Sequence, residues 1–172
     1  LMGRLDTDLM YNIVMNWSWG NSESPDIYHD IETRKNSISF RSNMARLADQ
    51  LILEGKKEKA KNILDLAMQK MPLDYFGYYS LLVPFVDAYY RLDDTVSAQN
   101  LAQKVAFKYR DELEYFGSLT RNEQYMMGEE IITQVERYRT LMEAVLVHED
   151  KMLLKTEVDA FIGAVAPFKN LY

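Results

Sequence analysis

Apolar residues recur along this chain at the three- and four-residue intervals of amphipathic helices, and no stretch alternates convincingly as a strand would. Leu5, Leu9, Met10, Ile13, Val14 and Trp17 put a first stripe on a helix over 5–17, with Asp6 or Thr7 as its cap. Residues 18–26 (SWGNSESPD) are the most loop-like stretch, and 27–37 are polar and ambiguous. From about Ser39, a stripe of Phe40, Met44, Leu47, Ala48 and Leu51 runs to Gly55, which suits the left-handed position after a helix. A second helix over 58–71 carries Ala60, Ile63, Leu64, Ala67 and Met71 on one face, and Pro72 stops it. An aromatic connector, LDYFGYYS over 73–80, leads to a third helix ending near Leu92, in which Pro84 is tolerable only in the first turn. Asp93-Asp94-Thr95 turns the chain into a helix to about Tyr109. Thr120 with Glu123 is a capping-box signature that opens a long helix to about Val147. Thr156 with Asp159 repeats the signal more faintly and opens a last helix before Pro167. The pattern predicts an all-α chain of about seven helices.

One unit stands out. Residues 41–74, RSNMARLADQLILEGKKEKAKNILDLAMQKMPLD, look like one tetratricopeptide (TPR) repeat of 34 residues. Ala48 and Ala60 let two helix backbones approach, while Met44, Leu47, Leu51 and Leu64 fill the space around them. A more degenerate copy covers 79–112, with Leu82, Phe85, Val86 and Tyr89 on its first helix and Ala98, Ala102 and Val105 on its second. The alternative is two ordinary helical hairpins with no superhelical register. On the TPR-like reading, 1–172 is a single all-α domain. It comprises an N-terminal helix and loop over 1–38, repeats over 41–74 and 79–112, and C-terminal helices over 120–172 that cap the stack.

Composition narrows the function classes. Of 172 residues, 26 are acidic and 20 are Lys or Arg, for a formal net charge of −6. That balance argues against a nucleic-acid partner or an anionic lipid surface. There are no cysteines, so disulfides, thiolate metal sites and a cysteine nucleophile are excluded. No apolar run approaches the length of a membrane span. The opening Leu1-Met2-Gly3, followed almost at once by a helical pattern, reads as part of a longer protein.

Candidate chemistry is sparse. His29 and His148 have no second histidine at helical spacing, and no HExxH, GxSxG, Walker or GxGxxG motif occurs. His148 reads as a helix-end residue, Asp6 and Asp8 as capping and solvated residues, and Lys56-Lys57 and Glu129-Glu130 as solvated faces. No catalytic residue, cofactor or metal ligand is predicted. Tyr75, Phe76, Tyr78, Tyr79, Tyr89 and Tyr90 either fill the core between the repeats or line a binding surface. If a groove is used, Asp49 and Ile52 of the first repeat and Asp87 and Tyr90 of the second line it, and its two acids suit a basic or polar ligand.

Beyond the repeat, the order DTDLMYNIVMNWSWG, PDIYHD, RSNMARLADQLILEGKKEKAKNILDLAMQKMP and VDAYYRLDDTVSAQNLAQKVAFKYRDELEYFGSL resembles a known arrangement. It is similar to the soluble C-terminal region of a Bacteroidetes family of multi-span membrane proteins of unknown function. That family is itself similar to GT-C-type glycosyltransferases such as the protein O-mannosyltransferases. The resemblance covers the chain to about Leu119 and less clearly the rest. It implies a periplasmic location and glycosyl-transfer residues elsewhere in the parent, so it assigns no catalytic residue here. The leading expectation is a non-catalytic accessory module that binds protein or peptide, or the membrane portion of its own polypeptide, without inserting into the bilayer. Two alternatives stand beside it: a carbohydrate-binding domain using Trp17, Trp19 and tyrosines, and a free-standing TPR adaptor.

Overall fold

The computed structural model describes residues 6–171, and these are all-α, with no strand among them. The chain divides into two compact units, Leu1–Thr95 and Val96–Tyr172. The segment expected as a second repeat, 79–112, straddles that border. Among the described residues there are nine α-helices and two short 3₁₀ turns, where the sequence pattern predicts about seven helices.

In the first unit, α1 (Thr7–Met15) starts on Asp6, whose side chain accepts from Leu9 N. Only Thr7 and Val14 of this helix are buried, while Leu9 and Ile13 of the expected stripe face solvent. Leu5 and the Leu1-Met2-Gly3 opening lie outside the described residues. The polar stretch 27–37 resolves into the start of α2 (Ile31–Leu53), because Asp30 caps Thr33 N at 2.6 Å. Met44, Leu47, Ala48 and Leu51 of α2 are buried against Ala60, Ile63, Leu64 and Ala67 of α3 (Lys57–Lys70), whose buried alanines permit close backbone approach. Phe40, placed on the same stripe by the sequence, remains exposed to solvent at its edge. The aromatic connector is partly helical: α4 (Leu73–Phe76) and a 3₁₀ turn over Tyr79–Leu82 flank Gly77 and Tyr78, both at positive φ. Then α5 (Val83–Arg91) packs on both α2 and α3. Pro84 sits in its first turn, where its missing N–H costs nothing.

Helices α2 and α5 end alike. After α2, Gly55 takes φ 76°, Gly55 N donates to Ile52 O and Lys56 N donates to Leu51 O. After α5, Asp93 takes φ 64°, Asp93 N donates to Tyr90 O and Asp94 N donates to Tyr89 O. Both are Schellman motifs, which satisfy the last carbonyls of a helix. They are separated by the same offset as the two repeats.

In the second unit, α6 (Thr95–Ser118) carries on past the expected end at Tyr109, because Leu113 and Phe116 continue its buried face. The capping box forms: Thr120 N donates to Glu123 Oε2 at 2.8 Å and Glu123 N donates to Thr120 Oγ1. It opens only α7 (Arg121–Met126), since the chain leaves helical geometry at Met127 before α8 (Gly128–Val147). Glycine is a poor helix former, and Gly128 sits at that break. The last helix, α9 (Lys151–Val165), starts earlier than Thr156. Asp150 caps Leu153 N at 3.0 Å, and Thr156 lies mid-helix. Its core is built from Tyr109, Leu113, Ile131, Val135, Tyr138, Leu141 and Phe168.

Candidate functional site

Helices α2 and α5 pack together in the first unit and carry the four groove residues. Asp49 and Ile52, like Asp87 and Tyr90, are three apart and so share one helix face. The structure gathers both acids around a residue the sequence reading missed. Arg91 Nη1 donates to Asp49 Oδ1 at 2.5 Å and to Asp87 Oδ2 at 3.5 Å. The bond to Asp49 raises the arginine's pKa against partial desolvation. The i, i+4 spacing of Asp87 and Arg91 was the available signal. The face therefore presents two carboxylates already engaged by one guanidinium, with a net charge of −1 for the trio. Ile52 is half-buried, and Tyr90 is buried with only 9 % of its surface exposed.

The aromatic cluster separates into two kinds. Phe76, Tyr89 and Tyr90 are buried, whereas Tyr75, Tyr78 and Tyr79 are half-buried. Tyr89 Oη donates to Asp65 Oδ1 at 2.8 Å, and Lys61 lies over its ring at 5.5 Å. Burial, followed by the bond to Asp65, pushes the Tyr89 phenol well above its ordinary pKa. These are core roles for the buried three.

Charged residues read as solvated faces make long-range ties. Asp8 accepts from Lys56 Nζ and Lys59 Nζ, each at 2.7 Å, and Lys57 reaches Asp93 at 2.8 Å. Arg41 is fully buried and donates to the carbonyls of Met71, at 2.8 Å, and of Gly77 and Tyr78. Desolvation brings its pKa down to about 10, which still leaves it protonated at neutral pH.

A cleft of about 390 Å³ lies between the loop after α1, the first turns of α2 and the connector. Its lining includes Trp19, Tyr28, His29, Asn36, Phe40 and Phe76, and contains no acidic or basic side chain other than His29. The rings of Trp17, Trp19 and Phe40 form a trio with centroid separations of 5.7, 5.3 and 5.7 Å. His29 Nε2 donates to Ser22 O at 2.9 Å, a carbonyl that can only accept, and its ring lies 4.5 Å from Phe76. Trp19 Nε1 is buried and has no hydrogen-bond partner.

In the second unit, Arg110 donates to Tyr138 Oη at 2.9 Å and to Glu157, and Tyr138 Oη donates to Glu157 Oε2 at 2.9 Å. This closed trio joins α6, α8 and α9. Tyr138 also stacks on Tyr109 at 5.7 Å. Nothing in the helical periodicity marked these polar partners.

Among the described residues no group of three or more His, Asp or Glu could hold a metal ion, and no helix is long and apolar enough to cross a membrane. No family model, no curated protein and no solved structure matches this chain.

Proposed function

We propose that this chain is a non-catalytic, TPR-like interaction module that uses the α2–α5 face. The observation that carries the reading is the arrangement of the first unit. Helices α2 and α3 form a hairpin around small residues, and α5 packs on both of them as the first helix of a following repeat would. The matched Schellman turns at Gly55 and Asp93 support the same register. A stack of this kind presents the first helices of successive repeats side by side as a binding surface. The Asp49–Arg91–Asp87 trio lies on that surface and offers both signs of charge to a polar polypeptide.

On the resemblance described above, the module is an accessory to a membrane-embedded glycosyltransferase-like parent on the periplasmic side, where it positions an acceptor protein or braces the membrane portion. Site-specific photo-crosslinking tests the face. A crosslinker at Asp49 or Asp87 is expected to capture one defined polypeptide in cells of the source organism, and one at the exposed Glu58 of α3 is not. Equal capture from all three positions overturns the assignment.

A further inference from the structure

We infer that the cleft beside Trp19 binds a pyranose unit of a neutral glycan. This inference stands apart from the α2–α5 face, because the cleft is built from the 18–29 loop, the start of α2 and the connector.

The lining sets the ligand chemistry. With no carboxylate, ammonium or guanidinium among the lining side chains, a charged ligand group would be desolvated without a counter-charge. A neutral ligand escapes that cost. The walls are then of two kinds. Trp19, Tyr28 and Phe40 supply aromatic surface, and Ser18 and Asn36 supply side chains that make no hydrogen bond to a described residue. A pyranose matches both, because its C–H face is apolar and its edge carries hydroxyls. A purely apolar ligand would strand the polar groups, and a peptide strand would find no paired backbone edge in this all-helical unit.

Trp19 adds an independent observation. A buried indole N–H without an acceptor is uncommon in a folded protein and calls for a partner. The N–H is closed to solvent as the ring stands, and a small turn of the ring toward the cleft it lines would let a sugar hydroxyl oxygen accept from it. The volume of the cleft is at the small end of ligand sites, as fits one or two sugar rings. Tyr28, with 87 % of its surface exposed, stands at the rim as a free stacking platform.

The test uses the protein's own reporters, since Trp17 and Trp19 are its only two tryptophans. Tryptophan emission is followed while the chain is titrated with methyl glycosides of glucose, galactose, mannose and N-acetylglucosamine, and with cellobiose and chitobiose. At least one is expected to give a saturable change with Kd on the order of 1 mM. Tyr28→Ala and Asn36→Ala, both at exposed positions, are each expected to weaken binding about fivefold or more while leaving circular dichroism unchanged. Three results overturn the inference: no saturable change with any glycoside, saturation that both variants leave intact, or saturation by a polyproline peptide where no glycoside binds. A failure here leaves the crosslinking result on α2 and α5 untouched, and the reverse also holds.

Discussion

In the 1–95 unit Arg41 is fully buried and donates to main-chain carbonyls, whereas in the 96–172 unit Arg110 keeps partial access to solvent and meets a carboxylate. The first arginine holds irregular chain. Its acceptors are the carbonyl that follows α3 and two carbonyls at the left-handed Gly77 and Tyr78. The Met71 and Gly77 carbonyls follow the last turns of α3 and α4, where carbonyls lack an intrahelical partner and carry the negative end of the dipole. They therefore neutralise a cation without a counter-ion, while Tyr78 O also accepts from Leu81 N. The second arginine joins three regular helices through ordinary side-chain pairing with Glu157 and Tyr138. A cation surrounded by backbone therefore marks where helical periodicity stops determining the path of the chain, and an ion pair marks where it continues.

The sharpest way to break this contrast is Arg41→Met. The substitution keeps a long apolar stem and takes their donor from the carbonyls of Met71 and Gly77. It is expected to cost about 3–5 kcal/mol in chemical denaturation. Native-state hydrogen exchange should show the loss in the amides of 71–91, while those of α8 and α9 keep their protection. A cost below about 1 kcal/mol would mean that water replaces the guanidinium, and the contrast with Arg110 would disappear.

The same division explains what the sequence could show. The α2–α3 hairpin was legible because Met44, Leu47, Ala48, Ala60, Leu64 and Ala67 obey the helical period and are all buried. The Gly55 turn and the Thr120–Glu123 box were legible because each is written in adjacent residues. The 27–37 stretch was missed because Asp30 acts through a cap, which a search for apolar stripes does not see. Of the candidate groove, the shared faces of Asp49 and Asp87 were legible, but Arg91 lies 42 residues from Asp49 and gives no local sign of that contact. The cleft at Trp19 was hidden for a similar reason. Trp19 and Phe40 could be seen as aromatic, but loop geometry brings them together with Asn36 and Phe76.

A weaker perturbation probes the other side of the comparison. Glu157→Ala removes the carboxylate that joins Arg110 and Tyr138 and is expected to cost about 2–4 kcal/mol. The loss is smaller than for Arg41 because the side chain of Arg110 is 29 % exposed and can recover water. Glu157→Gln keeps an acceptor and should cost about half as much. Exchange should accelerate in α8 and α9 and leave 31–91 unchanged. Spread of the effect into that region would show that the units do not respond separately.

The smallest effect concerns the solvent-facing ties of the first unit, where Asp8 on α1 accepts from Lys56 and Lys59. Hydrogen bonds from these two ammonium groups, Lys56 first, hold the Asp8 pKa down to about 2, against an ordinary value of 3.8. A carboxylate whose folded pKa is depressed contributes stability that is present above 3.8 and lost as pH falls through about 2. Carbon-13 titration of the Asp8 carboxyl should therefore give a midpoint near 2 at low salt. The midpoint should climb toward 3.8 with Lys59→Ala or at high ionic strength, because exposed charges are screened. A midpoint already at the ordinary value would show that Asp8 does not hold α1 in place. Val14 packing and the Thr7–Glu54 hydrogen bond would then hold the helix.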